Sequence, residues 1–143
     1  MKDVIIKEQL FDHSIDKIWK AISTGEEISK WFINADFKPV EGYAYTFTAG
    51  PEKDCTEITG VVKKATPYTL IYTWIVENTD VETTVKWHLE EISGKTKLIL
   101  EHSGISNYGN EDIVTTMFGH FNAGWDNCVS LLTKHLTEEV NAG

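Results

Sequence analysis

The feature that most constrains the fold is a long amphipathic stretch near the C-terminus, from Asn110 to Leu136. Apolar residues recur there every three or four positions, which keeps them on one face of a helix with about 3.6 residues per turn. The apolar stripe consists of Val114, Phe118, Phe121, Trp125, Cys128, Val129, Leu132 and Leu136. A helix with such a stripe needs a large apolar surface to cover, and the rest of the chain must build that surface.

Two glycines, Gly119 and Gly124, interrupt this stretch, and its periodicity predicts that they lie within the apolar face. Glycine in a helix interior costs about 1 kcal/mol relative to alanine, so we expect each glycine to have a compensating role. A close approach of the helix backbone to the sheet would provide one, and so would room for a ligand. A simple packing notch is the alternative.

Length and composition indicate one globular domain. The chain has 143 residues, 41% of them hydrophobic and 24% charged, and a chain of this size buries about 70% of its unfolded surface without disulfides or metals. No apolar run approaches the roughly 18 residues of a membrane span, and the start from Met1 to Leu10 lacks the apolar segment of a secretion signal. We therefore expect a soluble cytoplasmic protein without a membrane span.

The charge of the chain is strongly acidic, and its basic residues are all lysine. Lysine and arginine together number 13, none of them arginine, against 22 acidic residues, for a net charge of −9. Recognition of phosphates and nucleic acids relies on guanidinium groups and clustered positive charge. We expect neither nucleic acid nor an anionic membrane surface as a partner.

The sequence lacks the patterns of metal, cofactor and redox sites. Cys55 and Cys128 are too far apart for a zinc framework and form no C-x-x-C pair, and the five histidines show no ligand spacing. There is no G-x-G-x-x-G segment and no P-loop. We expect no metal and no cofactor. We also expect two buried thiols, with a disulfide as the open alternative.

The first part of the chain predicts a strand followed by two short helices. β-branched and aromatic residues from Val4 to Phe11 indicate the strand. Ser14 provides an N-cap for a helix that ends near Thr24-Gly25. Thr24 with Glu27 three residues later matches a capping box, so a second short helix should begin there.

From Tyr43 to His102 the apolar period changes to two, which is typical of strands. Pro67 and the Ser93-Gly94-Lys95 turn help divide this region into about five strands. The gaps between them are shorter than the dozen or so residues of a parallel crossover, so neighbouring strands should be antiparallel. Strand parity places His102 on the face of Leu98 and Leu100.

This order of elements predicts an α+β fold, in which a curved antiparallel sheet is covered by the long terminal helix. A strongly twisted sheet curls, and one helix seldom fills the space inside it, so the remaining volume is a candidate ligand pocket. Its predicted aromatic lining is Tyr45, Phe47, Tyr72, Trp74, Trp87, Phe118, Phe121 and Trp125. Composition alone leaves a dense aromatic core open as the alternative.

Several segments resemble those of the AHSA-like proteins, which are named for the activator of the ninety-kilodalton heat-shock protein's ATPase. The segment from Trp31 to Gly42 resembles the W-F-x-x-x-D-F-x-P-x-x-G segment of that family. Gly60-Val61-Val62, His102-Ser103-Gly104 and Gly124-Trp125 are further matches in the same order. The resemblance spans nearly the whole chain.

That resemblance implies a helix-grip fold of the START-like and birch-pollen-allergen group, with a hydrophobic cavity between the curved sheet and the C-terminal helix. Proteins of this kind are thought to bind lipid-like, polyketide-like or flavonoid-like aromatic molecules. Small bacterial members are similar only to the C-terminal domain of the co-chaperone. A chaperone partner is thus implied by the resemblance alone.

Two histidines are the main candidates for polar groups in the pocket. Strand parity points His102 toward the proposed cavity, which places it among the predicted ligand-binding residues, and His120 lies next to the helix stripe. Each is either a structural histidine or a group that orients a ligand hydroxyl or carbonyl. Glu57 and Asn122 are weaker candidates of the same kind.

Three functions are compatible with these features. The first is a protein that binds a small hydrophobic, lipid-like or aromatic ligand. The second is an enzyme of aromatase or cyclase type, in which His102 or His120 moves protons. The third is a co-chaperone-type interaction domain, and a homodimer is compatible with all three. The segment Gly104 to Gly109 resembles a nucleophile elbow, but its closing glycine is one residue late for the G-x-S-x-G turn. We therefore assign no catalytic residue.

Overall fold

A computed structural model of the chain describes residues 3–49 and 56–142, without the side chains of Ala49, Thr56 and residues 139–142. Its elements are β1 (Ile5–Phe11), α1 (Ile15–Ser23), α2 (Gly25–Trp31), β2 (Asn34–Asp36), β3 (Ala44–Ala49), β4 (Thr56–Thr66), β5 (Thr69–Val76), β6 (Thr83–Ile92), β7 (Lys95–Ser103) and α3 (Glu111–Ala142). A short 3-10 helix, Ile105–Tyr108, precedes α3. The predicted helix-grip fold is confirmed.

The seven strands among the described residues form one antiparallel sheet in the order β1-β7-β6-β5-β4-β3-β2. β1 lies beside β7, so the first and last strands of the chain are neighbours. The predicted turn at Ser93-Gly94 joins β6 to β7. Both residues have positive φ angles, 51° and 82°, which is the backbone that a two-residue hairpin loop requires.

The sheet has one strand more than the sequence predicts. After the two helices the described residues contain six strands rather than about five. The additional strand, β2, is three residues long and pairs with β3, where Ala35 lies opposite Phe47. Three residues are too few to show an alternating pattern, so periodicity alone could not reveal this strand.

The two short helices begin in different ways. Ser14 caps α1 as predicted, because its Oγ accepts a hydrogen bond from the Lys17 amide at 3.3 Å. The predicted capping box at Thr24 is wrong. The Thr24 hydroxyl donates to Lys20 O at 2.9 Å instead, and α2 begins without a side-chain cap.

Contacts on two sides hold α2 in place. Trp31 Nε1 donates to Ala21 O on α1 at 2.8 Å. The Gly25 amide donates to Phe37 O at 3.1 Å, and a Cβ atom at Gly25 would lie only 2.7 Å from that oxygen. Glycine is therefore needed where α2 meets the segment that follows β2.

The terminal helix α3 covers the sheet through the predicted stripe. Its first turn is capped by Asn110, whose Oδ1 accepts hydrogen bonds from the amides of Asp112 and Ile113 at 2.9 and 3.2 Å. Val114, Phe118 and Val129 are partly buried. The buried members of the stripe are Phe121, Trp125, Cys128, Leu132 and Leu136.

Gly119 and Gly124 do not lie against the sheet. Both residues are exposed, and a Cβ atom added at either one would have no heavy atom within 4 Å. The expectation that they allow a close backbone approach is therefore wrong. They lie beside the buried stripe rather than within it.

A close contact between β4 and β5 does require glycine, at Gly60. A Cβ atom there would lie 2.1 Å from Thr73 O. Tyr45, opposite Gly60 on β3, donates its hydroxyl proton to the same oxygen, and Thr73 Oγ1 accepts a hydrogen bond from the Val61 amide at 2.8 Å. The missing side chain lets the two strands approach and lets Tyr45 reach across β4.

We expect Gly60→Ala to destabilise the protein by about 2 kcal/mol, because overpacking a closed site forces backbone shifts of roughly that cost. Gly119→Ala is the control and should stabilise by about 1 kcal/mol, since it improves helix propensity at an open site. Urea unfolding followed by circular dichroism measures both changes. Equal effects of the two substitutions would contradict the role given to Gly60.

Candidate functional site

An aromatic cluster fills most of the space between the sheet and α3. Ring centroids lie 4.7 Å apart for Tyr45 and Phe47, and 5.1 Å apart for Trp74 and Trp125. The members that are 5% exposed or less are Tyr45, Phe47, Tyr72, Trp74, Trp87 and Trp125. These predicted pocket residues therefore pack largely against one another, and their role in ligand binding stays a prediction.

The polar ends of the two tyrosines are satisfied inside the cluster. The Tyr45 hydroxyl donates to Thr73 O, and the Tyr72 hydroxyl accepts a hydrogen bond from Trp87 Nε1 at 2.9 Å. Burial raises the pKa of both phenols well above the ordinary value, so both remain protonated. Both hydroxyls therefore have partners inside the cluster, whereas the buried Trp74 Nε1 makes no hydrogen bond to the described residues.

His102 is fully buried in this cluster, and both of its ring nitrogens are hydrogen-bonded. Trp125 Nε1 lies 2.8 Å from Nδ1, and because an indole N–H can only donate, Nδ1 must be the unprotonated acceptor. The ring proton is therefore on Nε2, 2.7 Å from Thr83 Oγ1, and the Thr83 hydroxyl donates to Trp74 O at 3.2 Å. This chain of hydrogen bonds leaves neither nitrogen of His102 available to a ligand.

An apolar cavity of about 200 Å³ opens beside the cluster. The α2–β2 segment provides one wall, β4 and β5 provide the second, and α3 provides the third. Its lining consists of Phe32, Ile33, Ile58, Trp74, His120, Phe121, Gly124, Trp125 and Asn127. The candidate functional site is therefore at the α2 side of the space between the sheet and α3.

The structure brings only part of the predicted ligand-binding set to this cavity. Trp74, Phe121 and Trp125 line it. Phe118 is partly buried against the core. The cluster beside the cavity holds the remaining five predicted residues, which are Tyr45, Phe47, Tyr72, Trp87 and His102.

Sequence reasoning missed four residues of the lining: Phe32, Ile33, Ile58 and Asn127. A signal for the first two was present, since Trp31-Phe32-Ile33 is a run of three apolar residues at a helix end. Three consecutive residues cannot all face the same side of a helix, so one of them must point elsewhere. Asn127 carries no comparable signal, because it is one of several polar residues beside the α3 stripe.

The other predicted polar candidates lie in different places. His120 is exposed and lines the cavity, whereas Glu57 is exposed and does not line it. Asn122 Oδ1 accepts a hydrogen bond from Lys7 Nζ at 2.6 Å on the β1 side of α3. Ser106 lies in the 3-10 helix and donates its hydroxyl proton to Asp3 Oδ1 at 2.6 Å, so its segment has neither the geometry nor the base of a nucleophile elbow.

Residues 3–49 and 56–142 contain no candidate metal site. No three His, Cys, Asp or Glu side chains of these residues converge to hold a metal ion. Cys128 is a buried thiol whose pKa is raised by burial, whereas Cys55 lies outside the described residues. Within the same residues, none of the helices is long and apolar enough to cross a membrane.

We expect the burial of His102 to make folding sensitive to mild acid. Burial lowers its pKa from 6.5 to about 4. Between these pH values the unfolded chain takes up a proton that the folded protein excludes, so stability is complete above pH 6.5 and decreases as the pH falls toward 4. From pH 7 to pH 5 the loss should be about 2 kcal/mol.

The control for this prediction is His102→Gln, which keeps a donor for Thr83 but cannot take up a proton. Its free energy of unfolding should be lower at pH 7, because the Trp125 N–H loses its acceptor, yet it should depend less on pH. Urea unfolding at pH 7, 6 and 5 measures both slopes. Parallel pH dependences would refute the assigned protonation state.

The fold is shared with solved structures of low sequence identity. Protein MLL2253 from Mesorhizobium loti superposes with a TM-score of 0.80 at 24% identity, over 94% of this chain and 97% of that chain. Protein BH1534 from Bacillus halodurans gives 0.71 at 27% identity, over 92% and 94%. DynU16, a protein of the dynemicin biosynthetic locus, gives 0.78 at 19% identity, and this chain spans about half of its length, 47%.

The family of the chain follows from a match to its sequence. No functionally curated protein matches significantly. The family model described as "Activator of Hsp90 ATPase homolog 1-like protein" matches residues 12–137, which include both short helices, β2 to β7 and most of α3. The chain therefore belongs to the Activator of Hsp90 ATPase homolog 1-like family.

Proposed function

We propose that the protein binds a small hydrophobic molecule, aromatic or lipid-like, in the cavity between the sheet, the α2–β2 segment and α3. The observation that carries this proposal is the cavity itself, about 200 Å³ of predominantly apolar space beside a core that is otherwise closely packed. Ligand sites are typically apolar concavities with a few polar groups that fix orientation. His120 and Asn127 are such groups here.

The volume of the cavity limits the size of the ligand. An apolar cavity of about 150 Å³ engineered in another protein is large enough to bind benzene. A cavity of about 200 Å³ therefore suits a molecule with one or two aromatic rings, or a short aliphatic chain. A polyketide of several rings would reach beyond the cavity into the space next to it.

An enzyme of aromatase or cyclase type is the second candidate, and one observation favours it: His120 lines the cavity and is exposed. It is the histidine whose ring could exchange protons with a bound substrate, since both nitrogens of His102 are engaged. A His120→Ala variant that converts a substrate at the wild-type rate would remove this candidate.

Native mass spectrometry of the protein purified from its own host tests the proposal directly. We expect a co-purifying small molecule, whose mass identifies the class of the ligand. Heating that complex should show a higher melting temperature than the stripped protein, because a ligand that binds only the folded state stabilises it by mass action.

We expect Gly124→Leu to abolish binding in the cavity without impairing folding. The new side chain enters space with no heavy atom within 4 Å of the Cβ position, so it should occupy the cavity mouth at no cost in packing. With 2-ethylnaphthalene as probe, affinity should fall at least about tenfold, equivalent to roughly 1.4 kcal/mol. Amide chemical shifts in a titration measure it.

The matched control is Gly119→Leu, an equally exposed glycine of α3 that does not line the cavity. It should bind the probe like the wild type. Equal loss of affinity in both variants, or loss of affinity only together with loss of folding, would show that the cavity is not the binding site.

A further inference from the structure

We infer that the ligand is amphipathic: an aromatic ring system occupies the apolar cavity, and a neutral hydrogen-bonding group lies in a polar groove next to it. This inference rests on the proposed function. It adds the chemical class of the ligand and its orientation, and it can fail while the proposed function stands.

The polar groove lies between the α2–β2 segment and α3 and has a volume of about 510 Å³. Phe32, Ile33 and Asn127 line both the groove and the apolar cavity, so the two spaces adjoin at these three residues. A molecule too long for the cavity would enter the groove at this boundary. The site therefore has an apolar part and a polar part in fixed order.

Asn127 is the polar residue at the boundary. It is exposed on α3, and its side chain makes no hydrogen bond to any of the described residues. Asn34 and Thr48, paired across β2 and β3, line the groove and likewise make no side-chain hydrogen bond within that part of the chain. Amide and hydroxyl groups both donate and accept, so they suit a hydroxyl, carbonyl or amide on the ligand.

The charges around the groove favour a neutral group over a carboxylate. Lys30 lines the groove, but its Nζ lies 3.0 Å from Oε2 of Glu27, which is itself only 7% exposed. Burial opposes ionisation of Glu27, yet the hydrogen bond and charge of Lys30, aided by His135, hold its pKa below the ordinary value. The lysine charge is therefore already compensated, and an anionic ligand would meet a protein with a net charge of −9.

Two probes that differ by one hydroxyl group test this inference: 2-ethylnaphthalene and 2-(2-naphthyl)ethanol. Asn127→Leu should weaken binding of the alcohol about fivefold, the usual worth of one net hydrogen bond, and leave binding of the hydrocarbon unchanged or tighter. Because Asn127 is exposed, the variant should fold, and far-UV circular dichroism checks it. In the wild type, the alcohol alone should shift the side-chain amide signals of Asn127.

The anionic probe 2-naphthylacetate tests the charge argument and should bind at least about fivefold more weakly than the alcohol. If 2-naphthylacetate and the alcohol bind with comparable affinity, the inference that the polar group of the ligand is neutral is wrong. An equal effect of Asn127→Leu on alcohol and hydrocarbon would overturn the placement of that group, with the proposed function intact. Failure of every probe to bind the wild type, with no molecule co-purifying from the host, would remove the proposed function and this inference together.

Discussion

The hydrogen-bond chain through His102 connects the terminal helix to the sheet at one register. It begins at the Trp125 indole on α3, passes through His102 on β7 and Thr83 on β6, and ends at the Trp74 carbonyl on β5. A buried polar network stabilises a fold only when each member has its partner. A shift of α3 by one turn would leave the Trp125 N–H and His102 Nδ1 unpaired among aromatic rings. These hydrogen bonds therefore determine which residues of α3 face the cavity.

The position of the cavity follows from the same constraint. Trp125 packs against Trp74, and aromatic side chains fill the middle of the space between the sheet and α3. Free volume remains on the α2 side, where the wall is a short helix and a three-residue strand. On that side α2 also approaches α3, where Oε1 of the buried Glu27 lies 3.5 Å from His135 Nε2. The hydrogen bonds of His102 thus limit the closed core, and the open site remains on the α2 side.

Periodicity predicted the parts of this structure that depend on repeated residues. The α3 stripe, the antiparallel sheet and the inward face of His102 all follow from spacings of 3.6 and two. It could not predict features that depend on one contact in three dimensions. β2 is too short to have a period, Thr24 bonds to the preceding helix, and the aromatic residues expected around a large pocket pack on one another. The candidate site was found in part, because Trp74, Phe121 and Trp125 belong to repeats and Asn127 does not.

The two glycines inside α3, Gly119 and Gly124, are unfavourable for a helix, and the proposed ligand site accounts for only one of them. Each costs about 1 kcal/mol of helix stability relative to alanine. Neither offsets that cost by close packing, since space is open around both Cβ positions. Nothing in the structure explains Gly119. Gly124 lines the cavity together with Phe121 and Asn127, so the helix lacks a side chain at one point of the cavity wall. The proposed ligand site would account for Gly124, because a side chain there would reduce the room at the cavity wall, whereas it gives no role to Gly119.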